Sequence, residues 1–251
     1  MEKSNIFNIN RLYLLTRRHL FSNLTGWMIA FGALSGVMLV ISLLVANFQP
    51  GSLAMLTPTY LTIMFLGGYI FTSSIFSELN EPRKATHYLT LPVSVTERLA
   101  SAWLLTGILF PLFALLMIFL IIFLANLIMN LTFDFSPFAN LFSGNYVNAF
   151  KTYLVTQSVF LLGAAYFRKY NFLKTLLVLF VFFVAFMIVS GLLGWLFLSH
   201  LAEMLASEEA ALNVDPVAVR WIPMAANFFY NYLMLPFFLV TTWFTLKERQ
   251  V

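Results

Sequence analysis

Apolar residues run through this chain in six long blocks: residues 27–48, 59–76, 100–129, 149–167, 175–199 and 224–246. Each approaches or exceeds the roughly 20 residues that a helix needs to cross the hydrocarbon core of a bilayer. Polar and apolar positions do not alternate within the blocks, as the strands of a membrane barrel require, so helix is the form they predict. The third block is long enough to tilt, or to break near Pro111. The pattern therefore predicts an all-α, polytopic membrane protein with six transmembrane helices in one domain. A cytoplasmic interfacial segment (1–26) precedes the membrane domain (27–246), and a cytoplasmic tail (247–251) follows it.

Ahead of the first block, residues 6–21 have helical periodicity. Ile6, Ile9, Leu12, Tyr13 and Leu20 fall on one face, with Asn8, Arg11, Arg18 and His19 largely opposite. Such a helix suits the membrane surface, where Arg11, Arg17 and Arg18 would meet anionic headgroups. No small-residue cleavage signature follows, so no cleaved signal peptide is expected.

Composition supports the membrane reading. Of the 251 residues, 61% are hydrophobic and only 10% charged, against about 25% charged in soluble domains. Mean hydropathy is +0.88. The net charge of +4 does not indicate nucleic-acid binding, because the basic residues cluster beside the apolar blocks. Twelve of the fourteen lie in alternate connections: Lys3, Arg11, Arg17 and Arg18, then Arg83, Lys84 and Arg98, then Arg168, Lys169 and Lys174, then Lys247 and Arg249. The other connections hold Asp134 and the acidic stretch 201–220, with Glu203, Glu208, Glu209, Asp215 and the single Arg220. Lys151 stands near the start of the fourth block. Basic connections stay on the cytoplasmic side, which places both termini there and requires an even number of crossings.

Candidate chemistry is sparse. No cysteine exists, and the three histidines, His19, His87 and His200, are scattered, so no metal site is expected. No glycine-rich turn leads into Lys-Ser or Lys-Thr, so the chain itself should not bind ATP through a P-loop. No Asp, Glu, Lys or Arg lies deep within a block, which argues against a proton relay or ion pump. Ser35, Ser42, Asn126, Thr156, Gln157, Ser158 and Ser190 are instead expected to make hydrogen bonds between helices. Gly32 and Gly36 form a GxxxG spacing suited to close helix packing, and Gly67 and Gly68 are a second small-residue site. An intramembrane enzyme would have to use a residue such as Ser190 or His200, and nothing around either argues for it.

The connection 77–99 is the most informative polar stretch. It reads SELNEPRKATHYLTLPVSVTERL, with Pro82 and Pro92 bracketing a segment long enough for two helical turns. Thr96 is placed to open the next helix, ahead of Glu97, Arg98 and Leu99. A link between two crossings can be much shorter, so either an ordinary solvated loop or a docking element for a cytoplasmic partner fits.

Together these features resemble the permease subunits of ABC-2-type ATP-binding-cassette transporters. The likeness rests on the amphipathic N-terminal segment, six blocks, an outer segment between the fifth and sixth, and a charged tail, Leu246-Lys247-Glu248-Arg249. Its sharpest part is the run Glu81-Pro82-Arg83-Lys84, Thr86, Tyr88-Leu89-Thr90-Leu91-Pro92-Val93-Ser94, Glu97-Arg98. Lys84-Ala85-Thr86 departs from the Gly-Thr form common in that family. The resemblance implies a chain without cofactors that pairs with a second permease copy or a related permease. ATP and magnesium would bind on separate ATPase subunits. The 77–99 connection would form a short cytoplasmic coupling helix, with Glu81, Arg83, Lys84, His87, Tyr88 and Leu91 touching the ATPase and Glu97 and Arg98 bracing the loop base. It further implies export across the cytoplasmic (inner) membrane of a bacterium. A non-transporting six-helix scaffold or immunity-type protein is the alternative.

Overall fold

A computed structural model describes residues 7–22, 24–48, 56–80, 85, 90, 92–133, 144–206, 221, 224–225 and 227–249. Among them every regular element is helical. In chain order these are α1 (Ile9–Ser22), α2 (Leu24–Phe48), α3 (Thr57–Ser74), a 3₁₀ turn (Ser77–Asn80), α4 (Val95–Trp103), α5 (Phe110–Phe133), α6 (Gly144–Tyr166), α7 (Asn171–Ala206) and α8 (Met234–Glu248). Two π-helical segments, Leu104–Leu109 and Phe229–Leu233, lead into α5 and α8.

All six apolar blocks lie largely in helix. Four stretches are long and apolar enough to cross a membrane: Leu24–Val45, Val95–Ile128, Asn171–Leu196 and Phe229–Glu248. The blocks at 59–76 and 149–167 form α3 and α6, which are less apolar because they carry the bundle's polar residues. Tyr60, Tyr69, Thr72 and Ser73 come from α3, and Tyr153, Thr156, Gln157 and Ser158 from α6. These helices pack on one another and on most of the rest: α6 against α8, α3 and the start of α7, and α3 also against α5.

The core has two parts. One gathers Met38, Tyr60, Met64, Phe110, Ile118, Ile122 and Tyr153 from α2, α3, α5 and α6. The other gathers Ile75, Phe76, Ala102, Leu105, Leu161, Ala165 and Leu246 from the ends of α3 and α8 with α4 and α6. Close helix approach occurs at Gly68, where an added Cβ would overlap the Tyr153 ring, and at Gly163, where it would overlap Thr175. Gly32 and Gly36, the GxxxG pair, face outward on α2, with open space where a Cβ would stand. α7 touches the bundle only near its start, through Asn171 and Thr175, and residues 176–193 are exposed throughout. Its helix runs on unbroken to Ala206, into the acidic stretch.

Three of the polar residues expected to join helices do so, Ser42, Thr156 and Gln157. Ser42 pairs with Tyr60 at 2.6 Å, Tyr69 with Thr156 at 2.7 Å, and Gln157 donates to Thr106 at 2.5 Å. Ser158 instead donates to the Val155 carbonyl of its own helix at 2.6 Å, the buried Asn126 amide nitrogen has no hydrogen-bond partner among the described residues, and Ser190 lies on the exposed length of α7.

Both π segments stand just before a proline. The Phe110 N–H reaches back to the Leu105 carbonyl, and the Met234 N–H to the Phe229 carbonyl. Pro111 and Pro236 lack an N–H and press on the preceding turn, and a widened turn accommodates this. The break anticipated near Pro111 is thus a π turn that leaves the helix continuous.

Candidate functional site

The base of the 77–99 connection is built by residues from both ends of the chain. α4 opens at Ser94, one turn before its first buried residues. The Ser94 hydroxyl accepts the Glu97 N–H at 3.2 Å, and the Glu97 carboxylate accepts the Ser94 N–H at 2.8 Å, a complete capping box. The N-cap is therefore Ser94 and not Thr96, whose hydroxyl lies 2.8 Å from that of Ser94.

Glu97 is fully buried. A buried carboxylate needs several donors to offset its lost hydration. The second comes from α1, where the Asn8 N–H donates to the other carboxylate oxygen at 2.7 Å. Asn8 also caps α1, its side-chain oxygen accepting the Asn10 N–H at 2.9 Å. Two turns further along α1, Thr16 donates to Ser101 at 3.1 Å. Arg18 forms an ion pair with Glu78 at 3.1 Å. α1 thus holds the start of the connection through Glu78 and its end through Glu97.

The C-terminus secures the same corner. Arg249 donates to the Tyr166 carbonyl at 2.8 Å and to the Asn80 side chain at 3.4 Å. Burial, and then the charge of Arg168, hold its pKa below the ordinary value. The described residues of all four basic segments therefore meet at one end of the bundle. Lys174 and Lys247 rest over the rings of Phe167 and Trp243 there.

Of the surface residues on α1, Arg11 and Arg17 are exposed, Arg17 lying over the Phe21 ring, while Arg18 turns to Glu78. Ile9, Tyr13 and Leu20 present the expected apolar face outward. His19, placed by periodicity on the polar face, turns inward beside buried Leu15. Burial, reinforced by the Arg18 charge, lowers its pKa to about 4, so it is neutral near pH 7.

Of the residues expected to touch an ATPase, Glu81, Arg83, Lys84, His87, Tyr88 and Leu91 lie outside the described residues. Glu97 and Arg98 are both buried at the loop base. Asn8, Thr16, Glu78, Asn80 and Ser94 complete this corner, a role that the sequence alone does not assign to any of them. Among them only Ser94 carried a readable signal, as the first residue of the S-x-x-E capping pattern. Among the described residues no group of three or more His, Cys, Asp and Glu is placed to hold a metal ion. No protein-family model, curated protein or solved structure matches this chain.

Proposed function

We propose that the chain is the membrane-spanning permease subunit of an ATP-binding-cassette exporter, driven by a separate ATPase that docks on the cytoplasmic 77–99 connection. In this reading α3 and α6 cross the membrane with the four more apolar helices, giving six crossings with both termini in the cytoplasm of a bacterium. The permease pairs with a second copy or a related chain, and ATP and magnesium stay on the partner.

One observation supports this most directly. α1 ties both ends of the connection to the bundle, Arg18 to Glu78 and Asn8 to Glu97. A partner can drive a conformational change only through contacts that differ in free energy between two states. A connection fixed at both ends passes such a bias to α3 and α4, whereas a loop free at its base would absorb it.

The test is purification of the chain from its native membrane in mild detergent. An ATPase should accompany the wild type and be lost from the Arg83→Glu, Lys84→Glu double variant. Unchanged recovery of the ATPase with that variant would remove the docking site from this connection. Recovery of no ATPase at all, in a detergent that preserves a control transporter complex, would favour the non-transporting scaffold.

A further inference from the structure

We propose that a groove between α6 and the π segment before α8 binds an anionic amphiphile, a phosphate or carboxylate headgroup carrying a hydrocarbon chain, with Lys151 as the headgroup's cation. The groove has a volume of about 740 Å³. Asn148, Lys151 and Thr152 line it from α6, and Asn227, Tyr230 and Asn231 from the facing side. Leu154, Val155, Phe228 and Leu235 supply apolar wall.

Lys151 is unusual by its depth. Hydropathy places it near the start of a span, but α6 begins at Gly144, two turns earlier. The other end of α6 is fixed by the Arg249 bond to the Tyr166 carbonyl, within the basic cluster. From Tyr166 back to Lys151 the helix rises about 22 Å at 1.5 Å per residue. The hydrocarbon core is about 30 Å thick, so an α6 that crosses the membrane places the Lys151 backbone within it, toward the face opposite the basic cluster. An ionisable side chain at such depth marks a functional site unless it is paired. Among the described residues no carboxylate pairs with Lys151.

The surroundings suit an anion. Asn231 donates to the backbone and side-chain oxygens of Asn227, which leaves the Asn227 amide nitrogen as a donor. Asn148 and Thr152 bring further donors on the same helix as the lysine. The π turn places Tyr230, Asn231 and Tyr232 together on the groove lining, and π turns recur at functional sites. A bare anion would leave the apolar wall unused, and a neutral lipid would leave the ammonium unpaired. The proposal rests on the reading above that α6 crosses the membrane, but not on any ATPase, so an absent partner would not affect it.

The test uses the purified full chain in a neutral maltoside detergent, with native mass spectrometry reading bound phosphatidylglycerol, phosphatidylcholine and dodecyl phosphate. The wild type should retain phosphatidylglycerol or dodecyl phosphate over phosphatidylcholine. Lys151→Gln should lose about tenfold in that preference, the scale of one charge-assisted contact. Lys151→Arg should restore it, and Lys174→Gln, at the opposite end of the bundle, should leave it unchanged. Retention of phosphatidylglycerol identifies a membrane lipid as occupant, and retention of dodecyl phosphate alone identifies a single-chain amphiphile. Equal preference in wild type and Lys151→Gln, with matching helical content and elution, would overturn the proposal. So would displacement of the bound amphiphile by inorganic phosphate at equal concentration.

Discussion

The Tyr153 hydroxyl donates to the Thr106 carbonyl at 2.9 Å, supplying a hydrogen bond that the helix around Thr106 cannot make for itself. In an α-helix that carbonyl would accept from Phe110, but the Phe110 N–H is committed to Leu105. In π register it would accept from residue 111, which is Pro111 and has no N–H. A buried carbonyl without a donor is costly, and α6 supplies the donor from across the bundle. Gly68 makes room for the tyrosine ring.

Tyr153→Phe should therefore destabilise the chain by about 1 kcal/mol, the usual size of an interhelical hydrogen bond in a membrane. Thermal unfolding in detergent, followed by helical circular dichroism, checks this. A variant indistinguishable from wild type would mean that another donor reaches the Thr106 carbonyl.

The glycines separate more sharply. Gly68→Ala forces a methyl group into the Tyr153 ring and should cost about 1–3 kcal/mol, the range of overpacked cores. Gly32→Ala and Gly36→Ala meet nothing within 4 Å in this chain. They should change its stability by less than about 0.5 kcal/mol. The same unfolding measurement ranks all three, and a reversed order would contradict the helix packing described above.

These contrasts mark what the sequence can say. Block hydropathy located the helices, because α2, α5 and α7 have few polar positions to obscure it. It was less informative for α3 and α6, whose Tyr, Thr and Gln side chains serve contacts between helices. It also started α6 late, since Gly144, Asn145 and Asn148 are polar although helical, and so Lys151 seemed closer to the helix end than it is. The spacing of Gly32 and Gly36 signals possible close packing but names no partner, and the tight contacts formed at Gly68 and Gly163. The S-x-x-E pattern at Ser94 and Glu97 was legible in the residues. The Asn8 N–H that completes the Glu97 site was not, because a backbone donor 89 residues away leaves no mark in side-chain identity.

The Glu97 site gives a prediction for the loop base. Glu97→Ala removes both bonds made by the carboxylate and should cost about 3 kcal/mol. Glu97→Gln keeps one acceptor oxygen and should cost less. Asn8→Pro leaves Glu97 intact but removes the Asn8 donor together with the side-chain cap on the Asn10 N–H. All three should expose α1 to protease in detergent, with Glu97→Ala cleaved fastest. If Asn8→Pro is cleaved no faster than wild type, the Asn8 bond does not hold α1 in place.

His19 makes the docking of α1 sensitive to pH. Its pKa is about 4 when α1 is docked, because burial and the Arg18 charge disfavour the imidazolium. Once α1 undocks, the imidazole returns toward its ordinary value near 6.5. Between these values the undocked state binds more protons, so docking stability rises with pH across that window. The contribution is fully present above about pH 6.5, and it declines as the pH falls through the window to about pH 4. Because the chain has no cysteine, spin labels at Tyr13→Cys and Lys247→Cys, both exposed sites, report the separation of α1 from α8 without interference. The wild type should show a growing long-distance population as the pH falls below about 6.5. Glu78 and Glu97 stand in the same corner, so the histidine's share is isolated by His19→Phe, which fills the space without a titrating group. That variant should lose the part of the response above about pH 5. A wild-type distance distribution that stays constant down to about pH 4 would show that His19 does not control the docking of α1.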